Sequence, residues 1–241
     1  MKRSLVAATS SPWTTRLSAL GPLSDRGMTE LAQLAPDMVY RPGREMIAEG
    51  EPAEPARIVL AGWAARVRYF SDGRRQLLSF LLPGDLIGVC FHPDPIVDTA
   101  IVALTEVAVA ILPTATEENR LGQAYSVSGA MANAQLLRQV ARLGRLNAYE
   151  RLADWMLEIH DRLALAGLVD GWTFPLPLTQ ETLADALGLT SVHLNRTLQQ
   201  MRREGAIDLR SGVAKLLQPD QLQALVDYRP IRVSRAAPGG R

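Results

Sequence analysis

One cysteine, Cys90, serves a chain of 241 residues. A disulfide framework within the chain is excluded, and so is a cysteine-ligated iron–sulfur cluster held by one chain, which needs about four thiolates. A lone cysteine suits a reducing cytoplasm. Long apolar runs are also missing. The best stretch, residues 100–112, is interrupted by Thr105 and Glu106 and is too short to span a bilayer. The amino terminus has Lys2 and Arg3, then only a broken apolar run before Ser10, Ser11 and Pro12, which makes a poor signal peptide. A soluble cytoplasmic protein is the expectation. The three histidines, His92, His160 and His193, fall in separate segments. No glycine-rich phosphate loop, metal-ligand spacing or nucleophile motif accompanies them, so no catalytic residue and no metal site is expected, and the chain does not read as an enzyme. A strong net charge is absent too: the balance is +1, so any basic surface must be sought locally.

What is present supports a buried core: 47% apolar and 21% charged residues, with length enough for two compact domains. Residues 1–22, with Gly21 and Pro22, read as a loose arm. Leu23, Met28, Leu31 and Leu34 then recur at helical spacing after Ser24, up to Pro36. From 39 to 113 short runs rich in Val, Ile, Leu, Phe and Tyr are punctuated by Gly and Pro, and Asp72-Gly73 between two alternating runs signals a hairpin. Many short strands at this spacing predict a β-barrel or β-roll, giving a sensing domain over 23–116. Residues 117–148 contain no proline and read as a long helix. Ala130, Ala134, Leu137, Ala141 and Gly144 form a heptad-like seam along it, while Leu136, Val140 and Leu143 are expected to pack on the β-domain. Two apolar faces need two partners, so one is assigned to a second copy of the chain. Residues 149–228 form a further domain, opened by a helix burying Leu152, Trp155, Met156 and Ile159, and 229–241, with Arg232, Arg235 and Arg241, read as a disordered basic tail.

Within 174–217 lies a winged helix-turn-helix pattern. Thr179 caps a helix that buries Leu183, Ala184 and Leu187; Gly188 permits the turn; Thr190 caps a second helix. On that second helix Leu194, Leu198 and Met201 face inward, while Ser191, Asn195, Gln199 and Arg202 share a polar face. No Asp or Glu occurs from 191 to 203, as expected of a helix lying against phosphates. Residues 206–209 and 213–217, joined across 210–212, make a two-stranded wing. Duplex DNA is the expected partner. Arg196, Asn195, Ser191 and Val192 are candidates for base contacts, with Arg196 foremost because arginine pairs bidentately with guanine. Thr179, Gln180, Gln199, Arg202 and Arg203 are candidates for phosphate contacts. The competing reading is a β-roll sensor acting through protein partners, which the acid-free helix face argues against.

The chain resembles the Crp/Fnr family of bacterial transcription regulators from about Leu23 to Val226. The resemblance rests on 71–75 (Ser-Asp-Gly-Arg-Arg), 82–88 (Leu-Pro-Gly-Asp-Leu-Ile-Gly), the run 100–113, and Leu187-Gly188-Leu189-Thr190 with Asn195-Arg196. It implies an α+β fold: an N-terminal cyclic-nucleotide-binding-like β-roll, a long dimerisation helix and a C-terminal winged helix-turn-helix. It also implies homodimers on two-fold symmetric operators, with RNA polymerase a further partner if the protein activates. Three departures stand out. Where cyclic-nucleotide-binding members carry a glutamate for the ribose and an arginine for the phosphate, this chain has Val89 and Asp98, the latter ahead of Thr99-Ala100, so cAMP or cGMP held in the usual way is not expected. The N-terminal cysteine cluster of the oxygen-sensing branch is also missing. Where many members read a base with glutamate, this chain has Val192, so the half-site is expected to differ from the common consensus. Gly88, Val89, Cys90, His92, Asp98 and Thr99 mark the candidate effector pocket; Cys90 and His92 read more readily as a small apolar thiol and a loop histidine than as a redox sensor and a haem ligand.

Overall fold

A computed structural model describes residues 11–53, 55–89 and 96–232. Helices α1 (Pro12–Leu20) and α2 (Asp25–Ala32) precede eight strands: β1 (Met38–Tyr40), β2 (Glu45–Ile47), β3 (Arg57–Ala61), β4 (Ala64–Tyr69), β5 (Arg75–Leu81), β6 (Leu86–Ile87), β7 (Ala100–Ala103) and β8 (Val107–Ile111). The long α3 (Leu121–Arg145) and α4 (Ala148–Leu165) follow. Last come β9 (Thr173–Pro175), α5 (Gln180–Leu187), α6 (Ser191–Arg203), β10 (Ile207–Arg210), β11 (Val213–Leu216) and α7 (Pro219–Leu225). Among the described residues no helix is long and apolar enough to cross a membrane.

The β-roll is two antiparallel four-stranded sheets, ordered β1-β8-β3-β6 and β2-β7-β4-β5. Val59, Ala64, Leu81, Ile101, Ala103, Val107 and Val109 fill the space between them. The second sheet is covered on its other face as well: Trp63, Ala65, Val67, Leu77 and Phe80 pack against Leu152, Trp155 and Met156 of α4. Alternation along β4 therefore sends Ala65 and Val67 toward α4, and Ala64 and Arg66 into the roll. Asp72-Gly73 turns the β4–β5 hairpin as the sequence predicts, with Gly73 at φ +86.

Three expectations change. Residues 12–20 are not a loose arm: α1 is capped by the Ser11 side chain and buries Thr14, Arg16 and Leu17. At the other end, 229–232 are placed against the body of the molecule, with the Arg229 carbonyl accepting from Arg138; residues 233–241 lie outside the described set. Third, Val140 does not pack on the β-domain, and Leu136 reaches only the lining of the β-roll cavity. Leu136 and Val140 are 39% and 70% exposed, alongside Leu137 at 64%. The inward stripe of α3 is apolar at its start, with Leu121, Ala124 and Tyr125, and from Ser128 onward mostly polar: Ser128, Gln135, Gln139 and Arg142, with Met131.

That stripe belongs to a buried ionic chain. Asp85, in the turn before β6, accepts from Arg16 at 2.5 Å and from Arg162 at 2.8 Å. Arg162 lies 3.5 Å from Glu158, which accepts from Arg142 at 2.5 Å, and Arg142 also meets Asp154 at 2.7 Å. All six are buried. Gly84 makes the approach possible, since its φ is +89 and a Cβ there would come within 2.5 Å of the Arg16 side chain. Burial alone would raise the Asp85 carboxyl, but Arg16 and Arg162 outweigh it and hold it below its ordinary value.

Asp85→Ala leaves two arginines buried without their shared acid. We expect a loss of about 3–5 kcal/mol in urea denaturation at neutral pH. In the wild type, Asp85's contribution is full above the ordinary carboxylate range and is lost as pH falls through its lowered value, so the difference between the two proteins narrows in acid.

Candidate nucleic-acid interface and β-roll cavity

The helix-turn-helix is assembled from local signals. Thr179 accepts from the Thr182 amide at 3.1 Å and starts α5. Gly188 ends it at φ +62, where any other residue is strained and an added Cβ would press on Leu143 at 3.3 Å. Thr190 accepts from the His193 amide at 3.2 Å and starts α6. Leu194, Leu198 and Met201 are buried as expected, joined by Thr197, whose hydroxyl donates to the His193 carbonyl. The wing pairs Ile207 with Leu216 through Arg210 with Val213, and β9 adds a third strand that the sequence reading had left out. Ser211 and Gly212 turn it with positive φ.

Ser191, Val192, Arg196, Gln199, Arg202 and Arg203 are exposed on α6, and Thr179 and Gln180 stand exposed at the start of α5. Asn195 is half-buried and engaged: it donates to Gln180 Oε1 at 2.8 Å and accepts from Gln199 at 2.9 Å. This amide ladder ties the two helices together and orders Gln180, Asn195 and Gln199 as one row. Arg202 donates to the Leu209 carbonyl of the wing at 3.0 Å. Arg196 and Arg203 have no hydrogen bond or ion pair among the described residues, so their donors are free for an external acceptor. Lys215 and Arg210 add exposed cations on the wing, which the sequence reading did not single out.

The opposite end of α5 is held by the rest of the protein. Its last carbonyls have no partners within the helix. Gln76 of β5 donates to Asp185 O at 2.7 Å and Ala186 O at 3.3 Å, Gln139 of α3 to Ala186 O at 2.6 Å, and Arg151 of α4 to Leu187 O at 3.1 Å. Arg75 meets the Asp185 side chain at 2.6 Å. The sheet, the long helix and α4 thus converge on one helix terminus.

Inside the β-roll lies a cavity of about 280 Å³ backed by α3. Gly88, Val89 and Asp98 line it; Thr99 is buried beside it and its hydroxyl donates to Asp98 at 3.4 Å. Cys90 and His92 fall outside the described residues. Sequence reading missed Arg66, which enters the cavity from β4 opposite Ser79 and makes no ion pair among the described residues. Burial lowers its pKa, against the pull of Asp98 and Asp85. Only the alternation of β4 pointed to it, because the rule that sends Ala64 inward sends Arg66 inward too. The lining does not fit a cyclic nucleotide in the arrangement the resemblance implies. Val89 offers no hydrogen bond to a ribose, and the Asp98 carboxylate repels a phosphate.

Residues 37–120 match the cyclic nucleotide-binding domain family, and residues 150–225 match the Crp-like helix-turn-helix domain family. The chain is 30% identical over 222 residues to the nitrogen fixation regulation protein FixK of Rhizobium meliloti (strain 1021), covering 91% of this chain and 98% of that protein. It is also 30% identical over 179 residues to the transcriptional activator protein FnrL of Cereibacter sphaeroides, covering 70% and 71%. The structure of FixK2 from Bradyrhizobium japonicum superposes with a TM-score of 0.66 at 25% identity, over 82% of this chain and 98% of that one.

Gln139→Leu removes the donor to Ala186 O and the acceptor for Arg142. We expect a stability loss of about 1–3 kcal/mol in chemical denaturation and faster amide exchange at the end of α5. Unchanged exchange there would mean that the contact does not hold the helix.

Proposed function

The chain belongs to the Crp/Fnr family of DNA-binding transcription regulators, and on that footing we propose how this member engages its operator. Two copies pair through the exposed face of α3, where Ala130, Ala134, Leu137, Ala141 and Gly144 are joined by Leu136 and Val140. Each copy lays α6 in a major groove, and the two half-sites lie about one helical turn apart. Arg196 reads a guanine, Ser191 and Val192 lie at the groove floor, and Asn195 helps through the ladder that positions Gln180 and Gln199. Thr179, Gln180, Gln199, Arg202 and Arg203 bear on phosphates. Val192, 63% exposed, can touch a thymine methyl but cannot accept from a base, which sets the half-site apart. The observation that carries this reading is the outer face of α6: exposed, free of acid, with Arg196 unpaired among the described residues.

The β-roll cavity is the effector site of this reading, with Gly88, Val89, Asp98 and Thr99 in or beside it; Cys90 and His92, the further candidates from the sequence, lie outside the described residues. Its effector is not a cyclic nucleotide held in the usual way. RNA polymerase is the further partner if the protein activates, and the cytoplasm is where such a regulator works.

Leu137→Glu or Val140→Asp should convert the dimer to monomer in sedimentation and abolish tight binding to a palindromic site, because a charge enters an apolar seam. A dimer that persists in both variants would overturn the α3 assignment. Arg196→Ala should cost about 1–3 kcal/mol on the specific site and little on random duplex. An equal loss on all sequences, read by fluorescence anisotropy, would reduce Arg196 to a phosphate contact.

A further inference from the structure

The β-roll cavity holds two opposite charges that have not found each other. Its other ionic groups are engaged. Asp85 accepts from Arg16, Arg162 and the Leu82 amide, and Arg162 also donates to the Phe80 carbonyl. Arg66 and Asp98 are left. We propose that the cavity binds an α-amino acid with an apolar side chain, its carboxylate on Arg66 and its ammonium on Asp98. This rests on the reading of the cavity as the effector site and names the ligand class.

Arg66 stands on β4 between Ser79 of β5 and Ile101 of β7. It makes no hydrogen bond or ion pair among the described residues, yet none of its nitrogens is sealed away, so all of them are open to a ligand. Burial weighs on this cation, and the attraction of Asp98 and Asp85 offsets only part of that. Two hydroxyls share its situation. Ser79 and Ser128 line the cavity, have no hydrogen-bond partner among the described residues, and keep their oxygens accessible. One guanidinium and two hydroxyls supply the donors that a carboxylate accepts. Asp98 is the complementary group. It lies exposed at the cavity edge, and the Thr99 hydroxyl at 3.4 Å is its one donor among the described side chains. Arg66 and Asp98 attract each other without forming an ion pair, which leaves room for a group between them. A simple anion would meet Arg66 but face the Asp98 carboxylate, and a simple cation has the reverse fault. A zwitterion answers both and adds no net charge. The rest of the wall, with Leu81, Leu86, Val97 and Ile101, is apolar and takes the side chain. A volume of about 280 Å³ calls for a compact ligand, since drug-sized molecules occupy roughly 300–1,000 Å³.

The test uses the full chain with L-leucine, followed by thermal shift and calorimetry. Leucine should raise the melting temperature in a saturable way. Isocaproate, which lacks the ammonium, isoamylamine, which lacks the carboxylate, and ε-aminocaproate, an isomer with its charges at opposite ends, should each bind about tenfold or more weakly. Arg66→Gln and Asp98→Asn should each weaken leucine by a similar factor, and Asp98→Asn should leave isocaproate no weaker than before. The ligand-free melting curve reports whether each variant folds; the analogue series on the wild type decides without them. The proposal falls if leucine does not bind, if any of the three analogues binds as well as leucine, or if folded Arg66→Gln and Asp98→Asn both bind leucine like the wild type. Operator affinity with and without leucine separates the two readings. Leucine that binds without changing it keeps the site and removes the effector role, whereas leucine that does not bind removes this ligand class and leaves the effector reading standing.

Discussion

Everything in this molecule is arranged around a buried chain of charges. Arg16, Asp85, Arg162, Glu158, Arg142 and Asp154 alternate in sign from the β-roll turn through α4 to α3. Charges can leave water only when each is met by its opposite in good geometry, and a missing member would strand its neighbour. That requirement fixes how α1 lies across the roll and where α4 sits along the sheet. It also fixes the rotation of α3 about its own axis. Gln139 extends the chain by accepting from Arg142 at 2.5 Å and donating to the Ala186 carbonyl at 2.6 Å. One continuous polar path therefore runs from the sensing domain to the first helix of the DNA-binding domain.

The orientation of α3 has a direct consequence. Because its polar side turns inward to complete the ionic chain, its apolar side turns out. Leu137 and Val140 then stand exposed among alanines and glycines, in a stripe left uncovered among the described residues. The proposed pairing surface and the internal charge pairing are two sides of one helix. The same logic orients the reading head. Since α5 is gripped by its carboxy-terminal carbonyls, the Thr179 end and the outer face of α6 are left clear for the duplex.

The β-roll keeps its family architecture while its cavity has changed chemistry. Val89 and Asp98 withdraw the contacts expected for a cyclic nucleotide, and Arg66 brings a cation in from a different strand. Tyr125, Ser128 and Gln135 of α3 form the back of that cavity, so whatever occupies it touches the helix proposed to carry the pairing surface. A ligand shifts such a system only as far as it binds one arrangement better than another. Contact with α3 is where that difference can arise.

Much of this was legible in the residues themselves. The caps Thr179 and Thr190, the turn at Gly188, the hairpin at Asp72-Gly73 and the acid-free run of α6 are local signals. They act over three or four residues, so they survive without knowledge of the fold. Other features lay beyond it. Leu136 and Val140 looked like an inward face because apolar periodicity marks which residues share a face, not which neighbour that face meets. The first twenty-two residues read as loose because the partner that holds α1 lies far along the chain: Asp85 for Arg16. The amino-acid sequence by itself thus determined most of the elements, the helix-turn-helix and the family. Only the tertiary structure decided which way α3 faces, that Arg66 enters the cavity, and that buried charge joins the two domains, because each depends on pairs separated by tens of residues that only folding brings together.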